Sequence, residues 1–190
     1  MPTGRLIGRR VLVRDVVALL AAGRSVLLVG PAGVGKTALI ETIEWPHDFV
    51  VDPFERITRA AAARIRRGMN RGNAYLAAAR SPARSELGCV GRIAWRMTLA
   101  YVRPLPSRAV RTILTDALFA SGVPPTAFDA GWLRAAVRAS SGLPGRALAL
   151  SLVVGERWRH DGYLLPVQSA LVRSLTDVCQ LDRQDPKSSS

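Results

Sequence analysis

The sequence predicts an α/β fold: a short parallel sheet of about four strands flanked by helices, followed by a purely helical segment. Three observations carry this prediction. Short apolar runs bounded by glycine, proline or polar residues recur at 25–30 (SVLLVG), 49–52 (FVVD), 74–79 (AYLAAA) and 98–102 (TLAYV). Runs that are apolar throughout, without alternation, read as strands covered on both faces. Helix-spaced segments lie between them, and beyond Pro104 and Pro106 only helical spacing continues.

Residues 11–22 (VLVRDVVALLAA) carry helical spacing and stop at Gly23. The first strand, 25–30, ends in glycine, and TALIETIE after it reads as a helix that Pro46 closes. The second strand is 49–52. A helix is expected from Phe54 to Arg71, because Ile57, Ala61, Ile65 and Met69 recur at i+4. Arg56, Arg59, Arg66 and Arg67 fall largely off that stripe. Gly72–Asn73 breaks the helix before the third strand. A short helix is expected from Ser85 to Trp95, then the fourth strand. Helices are expected at about 107–121, 126–140, 145–160 and 166–180, with QDPKSSS as a flexible tail. The organisation read from this is a core over 1–104, a helical lid over 105–183 and a tail over 184–190.

With 190 residues and 48% hydrophobic content, the chain can bury a real core as one domain, or one domain with a small lid. Its formal net charge is +13. Such a surface suits nucleic acid or another polyanion, although a compositional preference for arginine would give the same charge. Cys89 and Cys179 match no metal or redox spacing and read as free thiols. No apolar run reaches the roughly 18 residues of a membrane helix. Arg5, Arg9, Arg10 and Arg14 interrupt any signal-peptide pattern. A cytoplasmic protein without a membrane partner is therefore expected.

Gly30-Pro31-Ala32-Gly33-Val34-Gly35-Lys36-Thr37 fits G-x-x-x-x-G-K-[ST], with a strand before it and a helix starting near Lys36 after it, and with Ala38 these are the expected nucleotide-binding residues. Each part has a chemical reason. The glycines let the backbone curl and aim its N–H groups at phosphate oxygens. The helix start adds the positive end of its dipole. Lys36 supplies a compact, mobile charge for the β and γ phosphates, where a forked guanidinium fits poorly. Thr37 offers a hydroxyl to Mg²⁺. In a chain whose other lysine is Lys187, near the C-terminus, lysine is kept where the shape of the cation matters. ATP or ADP with Mg²⁺ is the cofactor this pattern implies, and the fold class is that of a P-loop nucleoside triphosphatase.

Such a site also needs a carboxylate at the end of a neighbouring strand to help hold Mg²⁺. FVVD supplies Asp52. Asp followed by Pro is also a good helix start, so Asp52 can serve as the N-cap of the segment from Phe54 as well, a role compatible with the first.

Around these motifs the chain resembles an AAA+ type ATPase over nearly its whole length. LIGRR resembles the segment that borders the adenine, which implies nucleotide contacts for Ile7, Gly8 and Arg9. VVDPFERI resembles Walker B. NAYLAAARS resembles the sensor 1 strand, ending at Arg80. GRIAWRMTLAYVRPLPSRAVRTIL resembles the helix bearing arginine fingers, the next strand and the first lid helix. Arg92 and Arg96 become the finger candidates, with Arg92 favoured. SSGLPGRALAL resembles the sensor 2 motif and makes Arg146 its arginine. The last third is most similar to the DNA transposition ATPases and related secretion ATPases; members of the transposition branch bind DNA, oligomerise with ATP and recruit or activate a transposase. The signalling ATPases of the STAND type share the opening motif and give the alternative, a switch with a protein partner.

The sequence departs from that family in three places. Pro53 stands where a second acid usually polarises the attacking water. Glu55 is the nearest substitute, but is expected to face solvent on the first helical turn. The stretch between the P-loop helix and FVVD is short, consistent with a four-stranded sheet. G-L-P-G-R also has one residue more than the usual G-x-P-R. The resulting expectation is a slowly hydrolysing, homo-oligomeric ATPase that binds DNA without sequence preference. The arginine face of the 54–71 helix is one candidate DNA surface and equally an ordinary solvated face.

Overall fold

The computed structural model describes residues 7–83, 87 and 90–181, with side chains as far as Ser174. Parts of the expected 85–95 helix, the side chain of Cys179, and Cys89, Lys187 and the whole 184–190 tail lie outside the described residues. The chain divides into two compact units, Met1–Arg103 and Pro104–Ser190.

The first unit runs α1 (Arg10–Ala21), β1 (Val26–Val29), α2 (Lys36–Ile43), β2 (Val50–Val51), α3 (Arg59–Asn70), β3 (Leu76–Ala79), α4 (Gly91–Ala94) and β4 (Thr98–Tyr101). The four strands form one parallel sheet in the order β2-β3-β1-β4. Each observed strand sits inside its sequence-expected segment. β1 and β3 are the central strands, and all eight of their residues are buried, as their unbroken apolar runs require. Ser25 sets the lower edge. Its hydroxyl accepts from the Tyr75 N–H at 3.0 Å and its carbonyl from the Thr98 N–H at 2.8 Å.

One face of the sheet presents Leu27, Val29, Ala77 and Ala79 to a core that includes Phe54, Ile65 and Ile93. The small alanines of β3 leave room for the ring of Phe54, which is wholly buried. The opposite face, Val26, Leu28, Leu76 and Ala78, is equally buried, and α1 and α2 pack against β1 and β3.

The segment expected as one helix from Phe54 to Arg71 is broken. A 3₁₀ turn covers Phe54–Arg56, Ile57 is extended, and α3 begins at Arg59 behind Thr58. The Thr58 hydroxyl caps the helix by accepting the Ala61 N–H at 3.2 Å. The buried stripe of α3 is Ala62, Ile65 and Gly68, which shares Ile65 with the stripe read from the sequence, while Ile57 and Met69 are half-buried against the same core. Gly68 is set by sterics, because a Cβ there would lie 2.0 Å from the Tyr75 hydroxyl.

The second unit is helical: α5 (Ser107–Ala120), α6 (Ala130–Ser140), α7 (Pro144–Asp161) and α8 (Val167–Leu181). The expected 126–140 helix begins later, at Ala130, because Asp129 caps it by accepting the Trp132 N–H at 2.6 Å. Ser141 and Gly142 both take left-handed backbone to end α6. The Gly142 carbonyl accepts the Leu105 N–H at 2.7 Å, and a Cβ at Gly142 would press on Pro104 and Leu105. The glycine of S-S-G-L-P-G-R therefore has a structural reason of its own: it lets the chain entering α5 lie against this turn.

The tip of β1 is equally tight. The Gly30 N–H donates to the Ala79 carbonyl at 3.3 Å, and a Cβ at Gly30 would meet the Val102 carbonyl oxygen at 2.5 Å. Gly30→Ala is expected to destabilise the protein by about 1–3 kcal/mol through this overpacking. Thermal unfolding checks it, with a fall in Tm of roughly 2–10 °C expected for a chain of this size.

Candidate functional site

The loop from Gly30 to Gly35 leaves the sheet at the tip of β1 and delivers the chain into α2 at Lys36. Gly33 (φ 74°) and Gly35 (φ 96°) hold left-handed backbone that few other residues tolerate. Between them the Val34 side chain is fully buried and anchors the loop from below. Its carbonyl accepts from Arg9 Nη2 at 3.1 Å. Pro31, Ala32 and Gly33 stay exposed. α2 has no side-chain cap and no acidic residue in its first turn. The N–H groups of Lys36, Thr37 and Ala38 therefore have no carbonyl partner within the helix and present partial positive charge.

The Lys36 ammonium folds back over this loop, donating to the Gly30 carbonyl at 2.7 Å and the Pro31 carbonyl at 3.1 Å. Burial pushes its pKa below the ordinary lysine value. The negative charges of Asp52 and Glu55 act in the opposite direction, and the positive charge of Arg80 adds to the lowering. One cation thus lies in the field of two carboxylates and an arginine drawn from separate parts of the chain.

β2 places Asp52 just past its end, followed by a cis bond to Pro53. Asp52 is not the cap of α3, a role that falls to Thr58. Its carboxylate accepts the Thr37 hydroxyl at 2.7 Å. The two residues suited to Mg²⁺ are therefore already together. Among the described residues no cluster of three or more His, Cys, Asp or Glu side chains is placed to hold a metal on its own. A Thr hydroxyl and one carboxylate fit Mg²⁺, which characteristically takes only one or two protein carboxylates and completes its shell with phosphate and water oxygens.

Glu55 departs from its expected solvent-facing place. Because the helix starts later, Glu55 sits on the 3₁₀ turn beside the buried Phe54, half-buried, and its carboxylate accepts the Arg80 N–H at the end of β3. Sequence reading missed this contact because it placed Glu55 on a regular helical turn. The apolar Phe54 directly before it was the available signal, since burying that ring turns its neighbour toward the sheet edge.

The remaining candidates are more scattered. Ile7 and Gly8 lie in the turn that leads into α1, with Ile7 half-buried. Arg9 is 7% exposed, and desolvation lowers its pKa; its guanidinium is spent on the loop carbonyl of Val34. Arg80 follows β3 and is exposed. Arg92 is exposed on α4, whereas Arg96 is held by a 2.7 Å bond to the Asn70 side chain. Arg146 is the third residue of α7 in the helical unit. Arg59, Arg66 and Arg67 are exposed on α3.

No family model matches the sequence, and no curated protein matches it. Solved structures do. Aeropyrum pernix Orc1, in a structure described as a complex with DNA, superposes with a TM-score of 0.64 at 14% identity, over 96% of this chain and 70% of that one. Thermotoga maritima RuvB, described as a Holliday junction branch migration motor, gives 0.58 at 14% identity over 90% and 69%. The P216G variant of that RuvB gives 0.60 at 12% identity over 92% and 71%. This is the fold of an AAA+ P-loop NTPase. The AAA+ fold accounts for the four-stranded parallel sheet, the loop at the tip of β1 and the helical second unit. No described helix is long and apolar enough to cross a membrane.

Arg9 supplies the bond that holds this loop from behind. Arg9→Ala is expected to leave the Val34 carbonyl without its partner, at a cost of about 1–3 kcal/mol. Amide hydrogen exchange across 32–36 checks it, with faster exchange expected there than in β3.

Proposed function

We propose that this chain binds ATP with Mg²⁺ and acts on DNA as a homo-oligomeric AAA+ ATPase. The observation that carries the nucleotide half is the convergence of the Lys36 ammonium, the open amides of α2 and the Thr37–Asp52 pair on one loop. Lys36, now bonded to two loop carbonyls, exchanges them for β and γ phosphate oxygens. Thr37 and Asp52 would hold Mg²⁺, which would neutralise charge on the phosphate oxygens. The amides of 33–38 receive the remaining oxygens. Ile7 and Gly8 border the adenine. Glu55 takes the part of the acid that Pro53 cannot play, orienting the attacking water and accepting its proton. Arg80 senses the γ phosphate. Arg92, exposed and without a hydrogen-bond partner among the described residues, is the finger offered to a neighbouring copy; Arg96, tied to Asn70, is the weaker candidate.

The DNA half is supported by the net charge of +13 and by neighbours whose descriptions name DNA or a Holliday junction. The finer reading, a helper of DNA transposition that recruits a transposase, is supported by the order of motifs in the last third of the sequence.

Titration with a fluorescent ATP analogue in magnesium buffer tests the site. Lys36→Ala is expected to weaken binding between about 10- and 100-fold, the worth of a charge-assisted contact. Asp52→Ala is expected to remove most of the dependence on Mg²⁺. A wild-type chain with no affinity for ATP or ADP would end the proposal. Anisotropy with duplex DNA at ~100 mM salt, with and without ATP, tests the second half; no binding in either state leaves the alternative, a nucleotide switch with a protein partner.

Glu55→Gln separates chemistry from structure, because the amide oxygen can still accept the Arg80 N–H. Single-turnover hydrolysis is expected to fall by about 10²–10⁴-fold, as for loss of a general base, with ATP affinity retained. Unchanged turnover would leave Glu55 only its bond to the Arg80 backbone.

A further inference from the structure

The helical unit contains a second surface suited to phosphate, and no motif of the sequence points to it. A cleft of 460 Å³ opens between α5 and α6, lined by Ser107, Arg108, Arg111, Leu133, Arg134, Val137 and Arg138. Four of these residues are arginines and none is acidic. All four are exposed, and among the described residues none pairs with a carboxylate. Leu133 is buried and Val137 half-buried, so the floor is apolar and the rim cationic.

The spacing makes this arrangement costly to the protein alone. Arg108 and Arg111 stand at i,i+3 on α5, and Arg134 and Arg138 at i,i+4 on α6. Like charges at these spacings lie on one helix face and destabilise it. An arginine placed only for solubility is usually interleaved with acids, and Asp116 and Asp129, the acids of these two helices, lie outside the cleft. α5 adds the start of a helix at Ser107, with no acidic residue in its first turn. Guanidinium forks over an apolar floor match phosphodiester oxygens, which they meet with paired hydrogen bonds at reduced dielectric.

We infer that this α5–α6 cleft binds the phosphodiester backbone of DNA, a contact surface in the helical unit distinct from the nucleotide loop. The inference rests on the DNA half of the proposed function and assigns it a place. Recognition through phosphates alone is blind to sequence and falls steeply with salt.

The test is fluorescence anisotropy of the full chain with a labelled duplex of about 30 base pairs across a salt series. The double variant Arg108→Ala/Arg138→Ala is compared with Arg24→Ala/Arg159→Ala, which removes equal charge at exposed positions outside the cleft. The cleft pair is expected to lose at least tenfold in affinity and to flatten the log–log salt slope by about 2, near 0.9 per phosphate contact. The control pair is expected to lose less than threefold. The cleft variant is expected to melt no lower than wild type, since repulsion is relieved, and to keep its ATP affinity. Equal losses for the two pairs would reduce the effect to bulk charge and overturn the inference. So would an unchanged slope in the cleft pair. In both cases DNA binding by the wild type would still stand, whereas a wild type that binds no duplex removes the DNA reading itself and the cleft assignment with it.

Discussion

The site depends on the staggered ends of three parallel strands. β1 and β3 finish level, with Val29 opposite Ala79, while β2 stops at Val51, opposite Ala77. The chain leaving β2 must therefore still pass the end of β3. It does so through Asp52, Pro53 and the 3₁₀ turn, and this brings Glu55 to the Arg80 N–H just beyond the tip. The same path sets Asp52 against Thr37, in the first turn of α2. The close approach of Gly30 to the Val102 carbonyl fixes the other side, since only a residue without Cβ lets β1 end in so tight a turn between its neighbours.

Electrostatics at the loop follows from this geometry. Lys36 is partly desolvated, which alone disfavours its charge, yet two carboxylates act to keep it protonated. Neither acid forms an ion pair with it; one is occupied by Thr37 and the other by the Arg80 N–H. The ammonium instead rests on two carbonyls of its own loop. Carbonyl dipoles are weaker partners than phosphate oxygens, so exchanging them favours an anion, and the short flexible stem needs no rearrangement of the backbone to make that exchange.

Much of this was legible in the sequence because it is written in local patterns. Continuous apolar runs bounded by breakers located all four strands, and the spacing of glycines, Lys36 and Thr37 located the loop. Glu55 was legible only indirectly, through the apolar Phe54 before it. Its position depends on where α3 starts, and Thr58 competes with Asp52 for the capping role; two good caps six residues apart give periodicity no means of choosing. Burial of Phe54 decides the matter, and burial is a property of the sheet it packs on. The partner of Arg9 was equally hidden, because a bond spanning 25 residues leaves no trace in spacing. The α5–α6 cleft escaped for a related reason: Arg108 with Arg111, and Arg134 with Arg138, are only like-charge pairs on their separate helices and become a cluster of four when the two helices pack.

The choice of cation bears on both surfaces. A chain that uses arginine almost throughout retains lysine in the loop at the tip of β1, the proposed nucleotide site, where a point charge must fit a narrow curl of backbone. Arginine in that place would bring a planar fork too broad for the loop and too fixed in its bonding directions to follow a phosphate. On the α5–α6 rim the demands are reversed. The surface is open, the ligand proposed for it is a repeating array rather than one triphosphate, and a fork that bonds through two nitrogens tolerates variation in where each phosphate lies. Four like charges held together without an acid are hard to account for as packing, since packing would be served as well by glutamine or lysine stems with acids between them. They make physical sense where a polyanion supplies the missing negative charge.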